Sequence, residues 1–549
     1  MECGIAIIQI NATVGALERN LERVIRFLNQ ARQQGASLAV LPELVLTGYP
    51  PEDLLHKPAF LQRLARVEAG LAEAVEGLGM EVIYGSVRHS ARGLVNAAVH
   101  RRGATETGYF AKHCLPNYGV FDEQRYFVPG EEAVCFTCCG LRVGVSVCED
   151  LWADNSPIPQ LVRNGAELLI NINASPYHVG KAREREEVAR GHVLRHGLPL
   201  LYGNLVGGQD ELVFDGGSFA LDATGGVAGR CGACVEQILL LRAVRDAEGR
   251  VRLGHGPVAA IPDVEREIYR VLCLGLADYV AKNGFEGVVL GLSGGIDSAL
   301  TAVICADALG AERVETVMMP SPYTSRESLE DAADLAARLG VRLISLDIEP
   351  MFAAFRKQLA TEFAGLAEDV TEENLQPRIR ATLLMALCNK KGRLLVTTGN
   401  KSEMSVGYAT LYGDMAGGFS VLKDLLKEWV FRLSRARNRW AEEAGEAPPI
   451  PERVLEKPPT AELRPNQKDS DSLPPYPVLD PILEMYVERE CGIEEMVARG
   501  FDRETVLRVV RLVDRNEYKR RQAPPGVKVT QRGFGKDRRY PITNGFTFS

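Results

Sequence analysis

A short apolar run in the middle of the chain leads directly into a Ser/Gly-rich turn and then a helical stretch. The run is Gly287-Val288-Val289-Leu290, the turn is Gly291-Leu292-Ser293-Gly294-Gly295-Ile296-Asp297-Ser298, and the helical stretch is Ala299 to Leu309. A strand, a tight turn and a helix start in this order bring free backbone N–H groups and the positive end of a helix dipole to one point. The sequence therefore predicts a strand–turn–helix unit with a phosphate site.

The turn lacks the lysine of a P-loop, because the pattern G-x-x-x-x-G-K-[ST] is not met. The string Ser-Gly-Gly-x-Asp-Ser from Ser293 to Ser298 instead resembles the loop of the N-type ATP pyrophosphatases. That resemblance implies cleavage of ATP between its α and β phosphates, with AMP left on a substrate carbonyl or carboxylate. An ordinary glycine-rich turn between a strand and a helix is the alternative.

The strands and helices of the second half alternate regularly after this turn. Such alternation is typical of a doubly wound parallel sheet, which binds ligands at the carboxyl ends of its strands. The elements predicted there are the strands 288–290, 314–318, 342–347 and 394–397 and the helices 299–309, 326–339 and 374–390.

The length of 549 residues predicts two large domains. A Gly/Pro segment from Leu253 to Pro257 precedes a new helix, so we place the boundary there and predict domains 1–255 and 256–549. The net charge of −8 and the scattered basic residues argue against nucleic acid as a partner.

The start of the chain, Met1-Glu2-Cys3-Gly4, lacks a charged segment followed by an apolar one. No apolar stretch approaches the roughly 18 residues needed to span a bilayer, so no membrane partner is expected. We therefore predict a cytoplasmic protein, in which the twelve cysteines are reduced.

Two Cys-x-x-Cys pairs, Cys135/Cys138 and Cys231/Cys234, contain enough thiols for a structural zinc site. The pairs lie far apart in sequence, and the first is next to a predicted strand. Free thiols are the alternative interpretation.

Three segments at predicted strand ends in the first half carry reactive side chains. They contain Glu43 in Leu41-Pro42-Glu43-Leu44, Lys112 in Ala111-Lys112-His113, and Cys148 in Val147-Cys148-Glu149-Asp150. A nucleophilic cysteine needs a base that takes its proton and a cation that stabilises the resulting oxyanion, and these residue types meet both needs.

This ordered trio resembles the nitrilase superfamily, and in particular the glutaminase domain of the glutamine-dependent NAD synthetases. The resemblance implies an αββα sandwich in which Glu43 is the general base, Lys112 stabilises the oxyanion and Cys148 forms a glutamyl thioester. It also implies that Glu123 supports the lysine. The positions that hold glutamine in this family match Tyr118, Ser175 and Lys181. For Lys181, a solvated helix start is the alternative.

The same resemblance extends to the second half, where it implies a Rossmann-like ATP pyrophosphatase domain. ATP would bind Gly291, Leu292, Ser293, Gly294, Gly295, Ile296, Asp297, Ser298 and Thr398, deamido-NAD would bind Asn374, Glu403 and Lys519, and Mg²⁺ would bind Asp297 and Glu403. For Asp297, a helix N-cap is the alternative. The segment Tyr412-Gly413-Asp414 with Lys423 and Lys427 resembles one that closes over the reacting phosphates. Ser470 departs from the family, which has an acidic residue there.

The resemblance as a whole implies amidation of deamido-NAD to NAD through an adenylate, with ammonia from glutamine and with no permanently bound cofactor. It also implies a homo-oligomer. Because free ammonia becomes non-nucleophilic ammonium at neutral pH, we hypothesise a protected route for it between the sites. The alternatives are another amidotransferase with the same phosphate loop and a catalytically silent binding protein.

Overall fold

The chain forms two compact units in a computed structural model that describes residues 2–465 and 467–546. The first unit ends at Val264 and the second begins at Glu265, within the first residues of a helix that covers Val264–Lys282.

The first unit is built from two large sheets, a small hairpin and four α-helices. Its strands are β1 (Glu2–Gln9), β2 (Leu38–Val40), β3 (Glu81–Ser90), β4 (Gly93–Arg102), β5 (Thr105–Ala111), β6 (Cys135–Cys138), β7 (Leu141–Val147), β8 (Leu168–Asn173), β9 (Leu200–Asn204), β10 (Val206–Gln209), β11 (Leu212–Asp215), β12 (Phe219–Leu221), β13 (Val227–Arg230), β14 (Gln237–Arg245) and β15 (Val251–Leu253). Its helices are α1 (Leu17–Gln33), α2 (Pro58–Leu78), α3 (Ile158–Arg163) and α4 (Lys181–His196).

Both large sheets have a parallel centre and antiparallel edges. One sheet has the order β15-β14-β1-β2-β3-β4-β5, in which β1, β2 and β3 are parallel. The other has the order β13-β12-β9-β8-β7-β6, in which β7, β8 and β9 are parallel.

Three apolar clusters define the layers of this unit. Inward side chains of both sheets, such as Ile5 of β1 and Val145 of β7, form one buried core. The other face of the first sheet packs on α1 and α2, and the other face of the second sheet packs on α3 and α4. The layers are therefore α, β, β, α, and the predicted sandwich is confirmed.

The second unit contains one sheet and a set of helices. Its strands are β16 (Val288–Gly291), β17 (Val314–Met318), β18 (Arg342–Ser345), β19 (Leu394–Thr397) and β20 (Phe419–Ser420). Its helices are α5 (Val264–Lys282), α6 (Ile296–Leu309), α7 (Arg326–Leu339), α8 (Glu349–Leu359), α9 (Val370–Lys391), α10 (Lys401–Val406), α11 (Lys427–Glu443), α12 (Glu452–Glu456), α13 (Tyr476–Leu483), α14 (Ile493–Ala498), α15 (Arg503–Arg515) and α16 (Glu517–Arg520).

This sheet has the order β18-β17-β16-β19-β20, and every neighbouring pair is parallel. The chain runs outwards from β16 through β17 to β18 and then returns to the other side of β16 as β19. The strand order therefore reverses between β16 and β19, which is the point where doubly wound sheets bind ligands. The predicted doubly wound parallel sheet is confirmed.

Among the helices of residues 2–465 and 467–546, none combines the length and the apolar character needed to cross a bilayer.

Gly85 of β3 lies against the backbone that carries Glu43. A Cβ at Gly85 would lie 2.2 Å from the Leu44 nitrogen and 2.4 Å from the Glu43 Cα. We predict that Gly85→Ala lowers the free energy of unfolding by about 1–3 kcal/mol and reduces the glutamine hydrolysis that the resemblance implies, because the Glu43 backbone must move. Urea denaturation and a glutaminase assay measure both effects.

The matched control is Gly77→Ala in α2, where a Cβ meets no atom within 4 Å. This substitution should leave hydrolysis unchanged and stabilise the helix by about 0.5–1 kcal/mol. Equal effects of the two substitutions would contradict the inference that a Cβ at Gly85 displaces the Glu43 backbone.

Candidate functional site

Cys148 lies where β7 ends and a short 3₁₀ turn, Cys148–Leu151, begins. The residue is buried, and its φ of 45° is in the left-handed region, which disfavours side chains other than glycine by about 1–2 kcal/mol. Such backbone strain is concentrated at functional sites. Burial, and then the Glu43 carboxylate, raise the pKa of Cys148 well above its ordinary value, although Lys112 opposes them. The resting residue is therefore a thiol that needs a base.

Glu43 and Lys112 form a buried ion pair in the same unit. Lys112 Nζ donates to Glu43 Oε1 at 2.8 Å, and both side chains have no exposed surface. Asn96 Nδ2 donates to the same carboxylate oxygen at 2.7 Å, and the Ala174 N–H donates to Oε2 at 2.8 Å. These donors fix the carboxylate, whose negative charge helps to raise the pKa of Cys148.

Glu123 is a second carboxylate on Lys112. Its Oε1 accepts from Lys112 Nζ and from the Tyr49 hydroxyl, each at 2.8 Å. Burial raises the pKa of Glu123 to about 7, opposed by Lys112 and assisted by Glu43. Burial alone would lower the pKa of Lys112, but Glu123 and Glu43 outweigh it and raise that pKa. The lysine therefore remains a cation beside Cys148.

Asp150 connects the Cys148 turn to the Lys112 loop, a role that the sequence analysis missed. Its buried carboxylate accepts from the backbone N–H groups of Val147 at 3.0 Å, His113 at 3.0 Å and Cys114 at 2.8 Å. The only local signal is an aspartate at the start of a helical turn, which does not reveal its distant partners.

The three candidate glutamine-binding residues lie in the same unit with different exposures. Tyr118 is exposed, and its hydroxyl donates to Glu149 at 3.0 Å. Ser175 is buried, and its Oγ accepts from Arg185 Nε at 3.1 Å. The pKa values of both Tyr118 and Lys181 are influenced by Cys148, which places these two side chains near the thiol.

Lys181 is the first residue of α4, but it is not the solvated helix start of the alternative interpretation. Its side chain is 16% exposed, and Nζ lies 3.6 Å from the centre of the Trp152 ring and 3.2 Å from Glu184 Oε2. Arg185 follows on the same helix and is bound by both oxygens of Asp215, at 2.7 and 2.9 Å. This buried pair holds Ser175.

The second unit contains a cavity of about 450 Å³ at the point where the strand order reverses. The predicted residues that line it are Gly291, Leu292, Ser293, Gly295, Ile296, Asp297, Ser298, Asn374, Thr398, Glu403 and Lys519. Gly294 does not line it. Its φ is +81°, and a Cβ there would lie 2.4 Å from the Ser328 carbonyl oxygen, so this glycine allows the turn.

The hydroxyl groups of the turn hold its backbone. Ser298 Oγ donates to the Gly295 carbonyl at 2.9 Å and accepts from the Ser293 N–H at 3.2 Å. Ser293 Oγ accepts from the Gly295 N–H at 3.2 Å. The turn that precedes α6 is thus preorganised for a phosphate at the helix N-terminus.

Asp297 lies inside the first turn of α6, whose N-cap is Gly295, so the N-cap alternative for Asp297 is wrong. One of its carboxylate oxygens accepts from Asn400 Nδ2 at 2.8 Å, and the other accepts from Lys427 Nζ. Asn400 is itself the N-cap of α10, where its Oδ1 accepts from the Glu403 N–H at 3.0 Å. Asn400 therefore joins the loops that follow β16 and β19.

Lys427 lies between Asp297 and Glu403, with Nζ 3.3 Å from Glu403 Oε1. Burial raises the pKa of Glu403 to about 8, and Asp297 contributes in the same direction. The two carboxylates offer oxygen ligands of the kind that Mg²⁺ prefers, while Lys427 lies between them.

Asn374 and Lys519, the candidates for the acceptor substrate, bind the protein's own loops. Asn374 Oδ1 accepts from Thr410 Oγ1 at 2.8 Å, and Lys519 Nζ donates to the carbonyls of Gly407 at 2.8 Å and Ala409 at 2.9 Å. Of the predicted closing segment, Gly413, Asp414 and Lys427 line the cavity. Tyr412 is exposed, and Lys423 donates to the Pro524 carbonyl at 2.8 Å.

The cavity also has lining residues that the sequence analysis missed. Arg380 donates to the Met319 carbonyl at 3.0 Å, and Lys457 lies 3.1 Å from Glu462 Oε1. Next to Ser470, which is exposed, Asp469 lines the cavity. About a third of the added lining comes from the Pro-rich segment between Glu446 and Pro475, whose composition does not predict a cavity wall.

The two Cys-x-x-Cys pairs do not form a common site among the described residues. Cys135 and Cys138 lie in β6 with their thiols apart, because residues i and i+3 of a strand point to opposite faces. Cys135 Sγ donates to the Leu161 carbonyl at 3.5 Å, whereas Cys138 Sγ lies 3.4 Å from His100 Nε2. The twelve cysteines all lie among the described residues, and none of them forms a disulfide.

Comparison with known proteins covers both units. Residues 4–250 match the family model of carbon-nitrogen hydrolases, and residues 268–523 match that of NAD synthases. A glutamine-dependent NAD(+) synthetase from Thermotoga maritima is 46% identical over 99% of this chain and 98% of its own length. This chain belongs to the glutamine-dependent NAD(+) synthetase family.

Other glutamine-dependent NAD(+) synthetases are equally similar. The one from Rhodobacter capsulatus is 47% identical over 98% of each chain. The solved structure of the enzyme from Acinetobacter baumannii in complex with ADP is 42% identical, covers 100% of this chain and 99% of its own, and has a TM-score of 0.80. The whole architecture is thus shared.

Glu123 gives this site a pH-dependent charge. Because its pKa is about 7 instead of 4.5, the folded state binds the proton more tightly than the unfolded chain. The free energy of unfolding should therefore fall as pH rises from about 4.5 to about 7, and it should do so less in Glu123→Gln. Urea denaturation across this range measures the effect.

In the same variant, the kcat/KM of glutamine hydrolysis should lose an inflection near pH 7. In this variant, the side-chain amide oxygen at position 123 still accepts from Lys112 and Tyr49. The hydrolytic activity itself should therefore remain. Superimposable pH profiles for wild type and variant would contradict the assignment.

Proposed function

We propose that this chain amidates deamido-NAD to NAD, using glutamine as the nitrogen donor and ATP, which is cleaved to AMP and pyrophosphate. One observation carries the proposal: the buried Cys148–Glu43–Lys112 group lies in one unit of a family member whose other unit has a phosphate turn in a cavity. Family membership argues against the alternative of another amidotransferase.

In the first unit, Cys148 attacks the glutamine amide carbon as Glu43 takes the thiol proton. Lys112 stabilises the oxyanion, because its charge is held in a dry site. Glu43 returns this proton to the leaving nitrogen, so that collapse of the intermediate expels ammonia and leaves a thioester, which water hydrolyses to glutamate. Tyr118, Ser175 and Lys181 hold the glutamine in this proposal.

In the second unit, the turn from Gly291 to Ser298 holds the phosphates of ATP while the nicotinate carboxylate attacks the α-phosphorus. Pyrophosphate leaves, and an acyl-adenylate is formed. When ammonia attacks this adenylate, AMP is the good leaving group. Asn374, Glu403 and Lys519 position deamido-NAD, and Thr398 contacts ATP. Mg²⁺ held by Asp297 and Glu403 would neutralise phosphate charge.

Ammonia must reach the adenylate before it is protonated, so a protected route stays part of the proposal. The support for this route is that ammonium, unlike ammonia, is not nucleophilic. A homo-oligomeric, cytoplasmic enzyme is proposed on the family resemblance alone.

We predict that Cys148→Ala abolishes glutamine-dependent NAD formation, with a loss on the order of 10⁶-fold, because it removes the nucleophile. NAD formation from added ammonium should survive, because the second unit is unchanged. Parallel assays with the two nitrogen sources measure the difference. An equal loss in both assays would overturn the division of labour between the units.

Asp297→Asn should have the opposite pattern. NAD formation from either nitrogen source should fall by about 10²–10³-fold, because the proposed Mg²⁺ loses a carboxylate ligand and Lys427 loses an ion-pair partner. Glutamine hydrolysis should persist, as measured by glutamate release. Asp307→Asn is the matched control, since Asp307 lies on the same helix but outside the cavity lining, where it binds Arg437 at 2.7 Å. A catalytically silent protein would form no NAD in any of these assays.

A further inference from the structure

A buried cluster of Glu81, His100 and Cys138 lies in the first unit and plays no part in the chemistry above. The residues come from β3, β4 and β6, so the cluster joins both large sheets. One ligand atom of each residue lies within 4.8 Å of the others. His100 Nε2 is 2.9 Å from Glu81 Oε2 and 3.4 Å from Cys138 Sγ.

Both ring nitrogens of His100 have polar partners. Nδ1 lies 2.6 Å from the Thr107 hydroxyl oxygen, and Nε2 lies 2.9 Å from Glu81 Oε2. Which ring nitrogen carries the hydrogen depends on the tautomer. In the tautomer with the hydrogen on Nδ1, the Nε2 lone pair faces Glu81 and Cys138, as a metal ligand requires.

The other oxygen of Glu81 is occupied by outer partners. Glu81 Oε1 accepts from the Cys139 N–H at 3.1 Å and from Arg102 Nε at 3.3 Å. These contacts orient the carboxylate and leave Oε2 for the cluster. Bonds that orient a carboxylate and a histidine from behind are typical of metal ligands.

We propose that Glu81, His100 and Cys138 bind one Zn²⁺ ion, which links the two sheets of the first unit. A thiolate and a carboxylate would neutralise the ion, so a charge-neutral group would be buried. Sulfur, imidazole and carboxylate are the ligands of zinc sites. With three protein ligands, the fourth position of a tetrahedral Zn²⁺ would be left for a water molecule.

This site differs from a zinc site built from the Cys-x-x-Cys pairs, since it takes only Cys138 from them. Cys135 is therefore a matched control, because it lies on the same strand and its thiol binds the Leu161 carbonyl instead. Metal binding requires loss of the Cys138 thiol proton. Burial, and then the Glu81 carboxylate, raise the pKa of this thiol, so loss of the proton is unfavourable without a cation.

The test uses the full chain with Cys148→Ala, so that the nucleophile binds no metal, after treatment with a chelator and a reductant. Co²⁺ is titrated while thiolate-to-cobalt charge-transfer absorption is recorded, and Zn²⁺ is then added in competition. We expect one Co²⁺ per chain, displaced by Zn²⁺. Co²⁺ at the carboxylates of the second unit gives no such band, because that set has no thiolate.

In this background, Cys135→Ser should bind as the parent does, whereas Cys138→Ser and His100→Gln should lose the band. Zn²⁺ at a hundredfold excess over its Kd should raise the unfolding temperature by about 5–10 °C in the parent and in Cys135→Ser only. If the first two ligand variants fail to fold, Glu81→Gln, at the start of β3, provides the same test.

Absence of the band in the parent would overturn the proposal and leave a hydrogen bond between His100 and Glu81 as the reading of this contact. Equal binding by Cys138→Ser and Cys135→Ser would overturn it as well, because the thiolate would then come from another cysteine.

Discussion

Each unit depends on a buried lysine that is held between two carboxylates. Lys112 lies between Glu43 and Glu123, and Lys427 lies between Asp297 and Glu403. Loss of the lysine from such a group costs about 3–5 kcal/mol, because the carboxylates are left uncompensated in the interior. The surrounding strands and loops must therefore hold these groups in place for each unit to fold and to act.

The parallel strands could be predicted from the sequence because they are short, almost continuous apolar runs. The predicted spans 314–318 and 394–397 agree with β17 and β19 in the structure. The antiparallel strands β4 and β14 were missed, since their sequences mix charged and apolar residues. β14 also pairs with β1, which lies far away in the chain, and pairing between distant segments leaves little trace in local composition.

The residues of the candidate site also fall into those that the sequence predicts and those that it does not. Residues in motifs that follow a strand, such as Cys148 and Asp297, could be predicted from the motif and its position. Asp150 and Arg380 act through backbone groups in other segments, and no local pattern announces such partners. The Pro-rich segment could not be assigned from composition either, although it lines the cavity through residues such as Lys457 and Glu462.

Asn400 joins two roles in one side chain. Its oxygen caps α10, and its amide nitrogen aligns the Asp297 carboxylate. Any substitution there changes the stability of a helix and the charge geometry of the phosphate site together. Free energies measured at this position therefore cannot be divided into a folding part and a catalytic part, and effects at positions 400 and 297 are non-additive.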